Sequence, residues 1–103
     1  METRIIAGDP VPAPDATLIR ALRNAHRWAA ALKSGTTLGR LAAAEKVAER
    51  YLARILHLAG LSPRIQAAIL DGTQPAELTL ERLAKVQLPL DWTAQERLLG
   101  FAR

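Results

Sequence analysis

Start and stop signals for helices divide this chain into short segments, and these closely spaced signals limit the folds that the chain can adopt to ones built from short helices. The stop signals contain glycine, which suits the left-handed residue after a helix, or proline, which lacks a backbone donor: Ser34-Gly35, Gly60, Asp71-Gly72 and Leu88-Pro89. The start signals are capping side chains, at Asp15, Thr36 or Thr37, Ser62, Thr79 and Asp91 or Thr93. Together they predict helices over about Ala16–Lys33, Leu38–Glu45, Ala48–Ala59, Pro63–Leu70, 80–86 and from 91 or 93 onward.

The composition favours helices over strands. Hydrophobic residues make up 50% of the chain and aromatic residues 4%, and the apolar residues are mainly Ala and Leu. A length of 103 residues is enough for one compact domain and too short for two. We therefore expect an all-α fold of five to six short helices, forming a single domain over residues 15–103. Three prolines within residues 1–14 predict a flexible arm there.

Helical spacing identifies the expected core. In the first helix the inner face is formed by residues three and four apart: Leu18, Leu22, Ala25, Ala29 and Leu32. Trp28 and His26 flank this stripe and are predicted to pack at its boundary. Leu78 and Leu83 have the spacing of a hydrophobic staple around the Thr79 cap. The last helix is expected to make apolar contacts through Trp92, Leu98, Leu99 and Phe101.

Several classes of protein are disfavoured by what the sequence lacks. Without cysteine there is no disulfide, Cys-ligated zinc or thiol nucleophile. His26 and His57 are too few and too far apart for an ordinary metal site, and no paired carboxylates or glycine-rich phosphate loop accompany them. We therefore expect a non-enzymatic protein with no metal, cofactor or small-molecule substrate. The absence of an apolar run of roughly 18 residues or of a signal peptide predicts a cytoplasmic protein with no membrane partner.

Positive charge is concentrated in one part of the chain. Residues 61–103 hold equal numbers of acidic and basic side chains, so the net charge of +4 comes from residues 1–60. This distribution would attract a polyanion. Within the first helix, Arg20, Arg23 and Arg27 lie opposite the apolar stripe. They are either a solvated face or a ridge that contacts phosphates, and the sequence leaves both interpretations open.

Residues 37–59 have the pattern of a helix-turn-helix at the centre of the predicted domain. Such a motif needs a small residue where the two helices cross, an apolar residue in the turn, and an apolar inner face on the second helix. Ala42, next to Leu41, supplies the crossing residue and Val47 the turn residue. Leu52 and Ile55 supply the inner face. The spacing therefore predicts that residues 48–59 form a recognition helix.

The outward face of that second helix carries the candidate DNA-binding residues. They have the spacing of one helical ridge: Arg50, Ala53, Arg54 and His57. Arginine offers paired donors to guanine edges and phosphates, and the small Ala53 would let the backbone approach a groove closely. Lys46 in the turn and Arg40 in the preceding helix are expected to contact flanking phosphates.

Three residues depart from the usual helix-turn-helix pattern. Lys46 stands where glycine is common and tolerates the left-handed conformation less well, so a reshaped turn is expected. Ala48 replaces the usual Ser or Thr cap, and Glu49 would repel phosphate. An alternative interpretation is therefore a protein-interaction or structural helical module whose helix-turn-helix has lost its DNA role.

Longer stretches resemble known DNA-binding families. The run from Tyr51 to Gly72 resembles the DNA-binding domain of ParB and KorB-like partition proteins. A closer resemblance, over about residues 15–101, is to the C-terminal region of certain bacterial serine recombinases. Four stretches carry it in the same order: Ala25-His26-Arg27-Trp28, Ile69-Leu70-Asp71-Gly72, Pro89-Leu90-Asp91-Trp92 and Leu99-Gly100-Phe101.

The resemblance implies a helical module that binds double-stranded DNA, and it does not imply recombination. A recombinase catalytic domain has no counterpart in 103 residues. No catalytic serine can be transferred, since Ser34 and Ser62 both stand at helix boundaries. The DNA target stays undetermined by the sequence, as does the choice between a monomer and a homodimer that reads two half-sites.

Overall fold

The computed structural model describes residues 13–101, and this part of the chain is all-helical. Six α-helices and one 3-10 helix follow each other in this order: α1 (Ala16–Lys33), α2 (Leu38–Glu45), α3 (Glu49–Leu56), the 3-10 helix (His57–Gly60), α4 (Pro63–Asp71), α5 (Leu80–Lys85) and α6 (Trp92–Leu98). Buried apolar residues from most of these elements form one core. The predicted all-α fold in a single domain is confirmed for the described residues.

Side-chain caps place the helix starts close to where the sequence predicts them. Asp15 Oδ1 accepts hydrogen bonds from the backbone N–H of Thr17 and Leu18, at 3.0 and 3.2 Å. The other helices with a side-chain cap begin after Thr37, Ser62, Thr79 and Asp91. At α6 the cap is Asp91 and not Thr93, which lies inside the helix.

The long helix α1 supplies the platform on which the other helices pack. Leu18, Leu22 and Ala25 are buried, as the helical spacing predicts. Ala29 and Leu32 are only half-buried, because the stripe drifts toward solvent near the end of the helix. Trp28 is 3% exposed and belongs to the core, so its predicted boundary position is wrong. With few aromatic residues available, its large ring fills space that several alanines could not.

The helices α2 and α3 are anchored by the residues that the motif required. Ala42 in α2 is buried, and Leu52 and Ile55 on the inner face of α3 are almost fully buried. Val47 is half-buried and packs against the core from the turn between the helices. Both helices contact α1, so α3 is held on a rigid base.

The turn between α2 and α3 keeps its regular form despite the lysine. Lys46 adopts the left-handed conformation itself, with φ 61° and ψ 41°. Its N–H donates to Ala43 O at 3.2 Å, and the N–H of Val47 donates to Ala42 O at 3.1 Å. These two bonds are those of a Schellman motif. The expectation of a reshaped turn is therefore wrong, and the cost appears as backbone strain at Lys46.

The second helix of the motif ends earlier than predicted. The α-helical part stops at Leu56, and a 3-10 helix continues to Gly60. Leu58 within the 3-10 helix is buried, as are Ile55 before it and Leu61 after it. Ala59, the predicted inner residue, is half-buried. The α-helical part of the predicted recognition helix is therefore shorter than residues 48–59, and His57 begins the 3-10 helix.

The last helix buries a polar residue in place of two predicted apolar ones. Leu99 and Phe101 are buried as expected, but Trp92 is 53% exposed and Leu98 is also exposed. The buried residue of α6 is Gln95. Trp92 and Leu98 each lie three residues from it, which is about 60° to either side on a helix. The prediction for these two residues is wrong because Gln95 finds hydrogen-bond partners inside the fold.

The chain enters the domain beside the end of α4. The N–H of Ala13 donates to Gly72 O at 2.7 Å, and Gln74 Nε2 donates to Ala13 O at 3.3 Å. The flexible arm was predicted for residues 1–14, and residues 1–12 of it lie outside the described residues. Pro14 and Ala13 pack against Gly72.

Candidate nucleic-acid interface

The outward ridge of α3 presents its charged side chains to solvent. Arg50, Arg54 and His57 are exposed, and Ala53 between them is half-buried. Arg50 and Arg54 share the side of the helix opposite Leu52 and Ile55. Burial of Leu52 and Ile55 fixes the rotation of α3 about its own axis. His57 follows at the C-cap with a nearly helical backbone, so it continues the ridge. The structure thus places Arg50, Ala53 and Arg54 on one face of α3, and His57 follows at the start of the 3-10 helix.

The two predicted flanking cations are exposed as well. Arg40 lies in the first turn of α2, and its N–H donates to Thr37 Oγ1 at 3.1 Å. Lys46 is exposed in the turn that leads into α3. Arg40 therefore lies at the start of α2, and Lys46 lies at its end, directly before α3.

The acid nearest the turn, Glu45, is neutralised by α1. Arg27 donates to both of its carboxylate oxygens, Nη1 to Oε2 at 2.9 Å and Nη2 to Oε1 at 3.1 Å. These hydrogen bonds lower the pKa of the Glu45 carboxyl below its ordinary value and raise the pKa of the Arg27 guanidinium. Arg27 also donates to Asn24 Oδ1 at 2.9 Å. The charge of Glu45 is thus balanced where a phosphate would approach Lys46.

The second acid, Glu49, lies against α2. Its Oε2 atom is 3.2 Å from the position that a Cβ atom would occupy on Gly39. Gly39 is in the first turn of α2, where a helix dipole favours negative charge. Glycine at this position therefore makes room for the carboxylate. Glu49 is itself exposed, and its carboxylate lies beside the start of α2.

The remaining arginines of α1 form a separate exposed surface. Arg20, Arg23 and Arg27 line a shallow groove together with Asn24 and Ile19. Arg27 is engaged by Glu45, whereas Arg20 and Arg23 extend into solvent. Both interpretations of this face, a solvated surface or a phosphate-contacting ridge, stay open.

A groove at the end of α3 brings together residues that no local sequence pattern relates. Arg54 and His57 form one wall, and the other wall is formed by residues 83–88 and Leu90, including Lys85 and Gln87. In the sequence, Lys85 has the position of a cation that complements a helix C-terminus. No local pattern relates it to residues about thirty positions earlier, so only the packing of α5 against α3 could reveal this neighbourhood.

The described residues offer little for metal or membrane chemistry. Within residues 13–101 no group of three or more His, Asp and Glu side chains could hold a metal ion. His26 Nε2 lies 2.8 Å from Gln66 Oε1, a contact between α1 and α4. No helix in this part of the chain is long and apolar enough to cross a membrane.

Comparison of the chain with protein-family models, with curated proteins and with solved structures found no significant match.

Proposed function

We propose that this chain is a non-enzymatic DNA-binding module that lays α3 in the major groove of double-stranded DNA. Arg50 and Arg54 contact base edges or phosphates, and Ala53 allows close approach of the helix backbone. His57, Lys46 and Arg40 contact the flanking backbone. The chain acts either as a regulator or as a recombinase-type module that recognises a DNA site.

The observation that carries the proposal is the exposed ridge on a helix whose other face is locked. Leu52 and Ile55 are almost fully buried, so α3 cannot rotate Arg50 and Arg54 away from solvent. Of the two nearby acids, Glu45 is paired with Arg27, and the exposed Glu49 lies beside Gly39 of α2. No ion pair with another described residue engages Arg50 or Arg54, so both guanidinium groups face an approaching polyanion.

The resemblance to serine recombinase C-terminal regions supports the same proposal from the sequence. One of its four stretches, Ile69-Leu70-Asp71-Gly72, ends α4, and another, Pro89-Leu90-Asp91-Trp92, starts α6. Both stretches therefore stand at helix boundaries. The resemblance adds double-stranded DNA as the partner and leaves the oligomeric state open.

A titration of labelled duplex DNA tests the proposal. We expect a mixed-sequence duplex to bind with an affinity that falls steeply with salt, with a slope of about −0.9 for each phosphate neutralised. The double variant Arg50→Ala with Arg54→Ala should weaken binding and reduce that slope. Selection from a random duplex pool, followed by Arg50→Ala alone, should show relaxed preference at the base pair that Arg50 contacts.

Removing equal charge from α1 provides the control. The variant Arg20→Ala with Arg23→Ala changes the net charge by the same amount and leaves α3 intact. A loss of affinity confined to the α3 variant supports the proposal and identifies the α1 face as solvated. Equal losses would assign phosphate contacts to α1 as well. The absence of binding at low salt, or an unchanged affinity in the α3 variant, would refute the proposal.

A second candidate function rests on exposed apolar side chains. Leu90 is 98% exposed and Trp92 53%, both at the start of α6. Such exposure near a helix start suits a protein-interaction module, the alternative raised by the sequence. Sedimentation velocity of the chain without DNA, compared with a Leu90→Ser and Trp92→Ser variant, tests it. Self-association that the variant abolishes would favour this function.

A further inference from the structure

The groove beside the end of α3 has the properties of an anion site. It has a volume of about 430 Å³ and is open to solvent. Arg54 and His57 border it on one side, and Lys85 and Gln87 on the other.

The polar groups around this groove are mainly hydrogen-bond donors. Arg54 and Lys85 carry positive charge, the imidazole of His57 can donate, and Gln87 offers an amide. None of the described residues that line the groove is acidic. Glu81 is the acid that contacts Lys85, at 3.1 Å, but both side chains are largely exposed. An exposed pair of this kind is weak and would not keep Lys85 from another anion.

We propose that this groove binds the sugar–phosphate backbone of the duplex that α3 reads, with Lys85 as its principal phosphate contact. The inference rests on the proposed function and extends it, because it makes the segment from Lys85 to Leu90 a second DNA-contacting element. The groove shares Arg54 and His57 with the outward ridge of α3. A duplex held on that ridge therefore brings its backbone toward Lys85.

The dimensions of the helix support this placement. With 8 residues, α3 is about 12 Å long, and the major groove is also about 12 Å wide. When α3 lies in the DNA major groove, the protein wall that carries Lys85, beside the end of α3, is within reach of one of the two DNA strands that border the major groove. An acidic peptide would meet the same donors, but it would not explain why the groove is continuous with the ridge.

Fluorescence anisotropy with a mixed-sequence duplex over a series of salt concentrations tests the inference. We expect Lys85→Ala to reduce the salt slope by about 0.9, so the ratio of the unaltered chain's affinity to the variant's falls about 3.5-fold for each fourfold increase in salt. The matched control is Arg97→Ala, because Arg97 is an exposed cation in the last turn of α6, as Lys85 is in the last turn of α5. Arg97→Ala should leave the slope unchanged.

A second variant tests the role of Glu81. Because the exposed pair of Lys85 and Glu81 is weak, Glu81→Gln should raise the affinity at low salt only slightly, and most of this gain should be lost when Lys85→Ala is added. If Lys85→Ala matches Arg97→Ala while Arg50→Ala with Arg54→Ala weakens binding, the inference is overturned and the proposed function stands. If the unaltered chain binds no duplex, both fail. Binding of a poly-glutamate peptide that depends on Lys85, with duplex binding independent of it, would also overturn the inference.

Discussion

Gln95 accepts a hydrogen bond from the backbone N–H of Ser62, with 2.8 Å between Oε1 and the nitrogen. Its amide nitrogen donates to Gly60 O at 3.1 Å and to Pro89 O at 2.8 Å. Ser62 in turn accepts from the N–H of Ile65 and caps α4. One buried amide thus joins the end of the 3-10 helix, the start of α4 and the segment before α6.

Replacing Gln95 should destabilise the fold strongly. Gln95→Ala leaves one buried N–H and two carbonyl groups without their partner, and such losses cost about 1–3 kcal/mol each when the group stays dry. We expect the free energy of unfolding in urea to fall by about 3 kcal/mol. The control is Gln87→Ala at an exposed position, with an expected change within about 0.5 kcal/mol. Equal midpoints of urea unfolding for Gln95→Ala and Gln87→Ala would contradict the role of Gln95 in joining these segments.

Gly72 should tolerate no side chain, whereas Gly60 should. A Cβ atom on Gly72 would lie 2.6 Å from Pro14 N, and its φ is +77°. Gly72→Ala is therefore expected to lower stability by about 2 kcal/mol or more. At Gly60 nothing lies within 4 Å of such an atom. Gly60→Ala should be neutral or stabilising by up to about 1 kcal/mol in thermal unfolding. The reverse order would mean that the contact with Pro14 is absent in solution.

Lys46 should show opposite effects on stability and on DNA binding. Its left-handed backbone is strained for any residue with a Cβ, so Lys46→Gly should raise stability by up to about 1 kcal/mol. Under the proposed function the same variant loses a phosphate contact and binds DNA less tightly. Lys46→Ala removes the charge but keeps the backbone strain. It should therefore lose the DNA contact without the increase in stability expected for Lys46→Gly. Denaturation and anisotropy on both variants check this, and a Lys46→Gly variant no more stable than Lys46→Ala would refute the strain.

The ion pair between Arg27 and Glu45 should make stability depend on acid pH. Because the pKa of the Glu45 carboxyl is lowered in the folded chain, its contribution is fully present above the ordinary glutamate value of about 4.3. The contribution is lost as pH falls through the lower folded value. Glu45→Gln should therefore flatten the fall in melting temperature below about pH 4.

An Arg27→Ala background provides the control for the acid effect. Without the guanidinium, the two hydrogen bonds that lower the pKa of Glu45 are gone. Glu45→Gln should then make little further difference to the acid limb of the stability curve. An undiminished difference in this background would mean that another group lowers the pKa of Glu45.

Most helix boundaries were predictable because they depend on local chemistry. Asp15, Ser62 and Thr79 cap the helices that their positions predict, and Gly35 takes a positive φ. Such signals act within a few residues, so the sequence alone contains them. The change to a 3-10 helix after Leu56 was not predictable, because it depends on how Leu58 packs against α1.

The candidate site also has some features that the sequence predicts and others that depend on tertiary packing. The ridge of Arg50, Arg54 and His57 follows from helical spacing once Leu52 and Ile55 are assigned to the core. The compensation of Glu45 by Arg27 joins residues in different helices, and no period along the chain relates them. The neighbourhood of Lys85 and Arg54 likewise exists only because α5 packs beside α3.

The sequence by itself determined the all-α fold, most of the helix boundaries and the face on which α3 carries its cations. These depend on caps, breakers and a 3.6-residue period, all of which act over short distances along the chain. Only the tertiary structure decided that Trp28 and Gln95 are buried while Trp92 is exposed. Burial of these side chains depends on space and hydrogen-bond partners supplied by distant segments, such as Gly60 and Ser62 for Gln95.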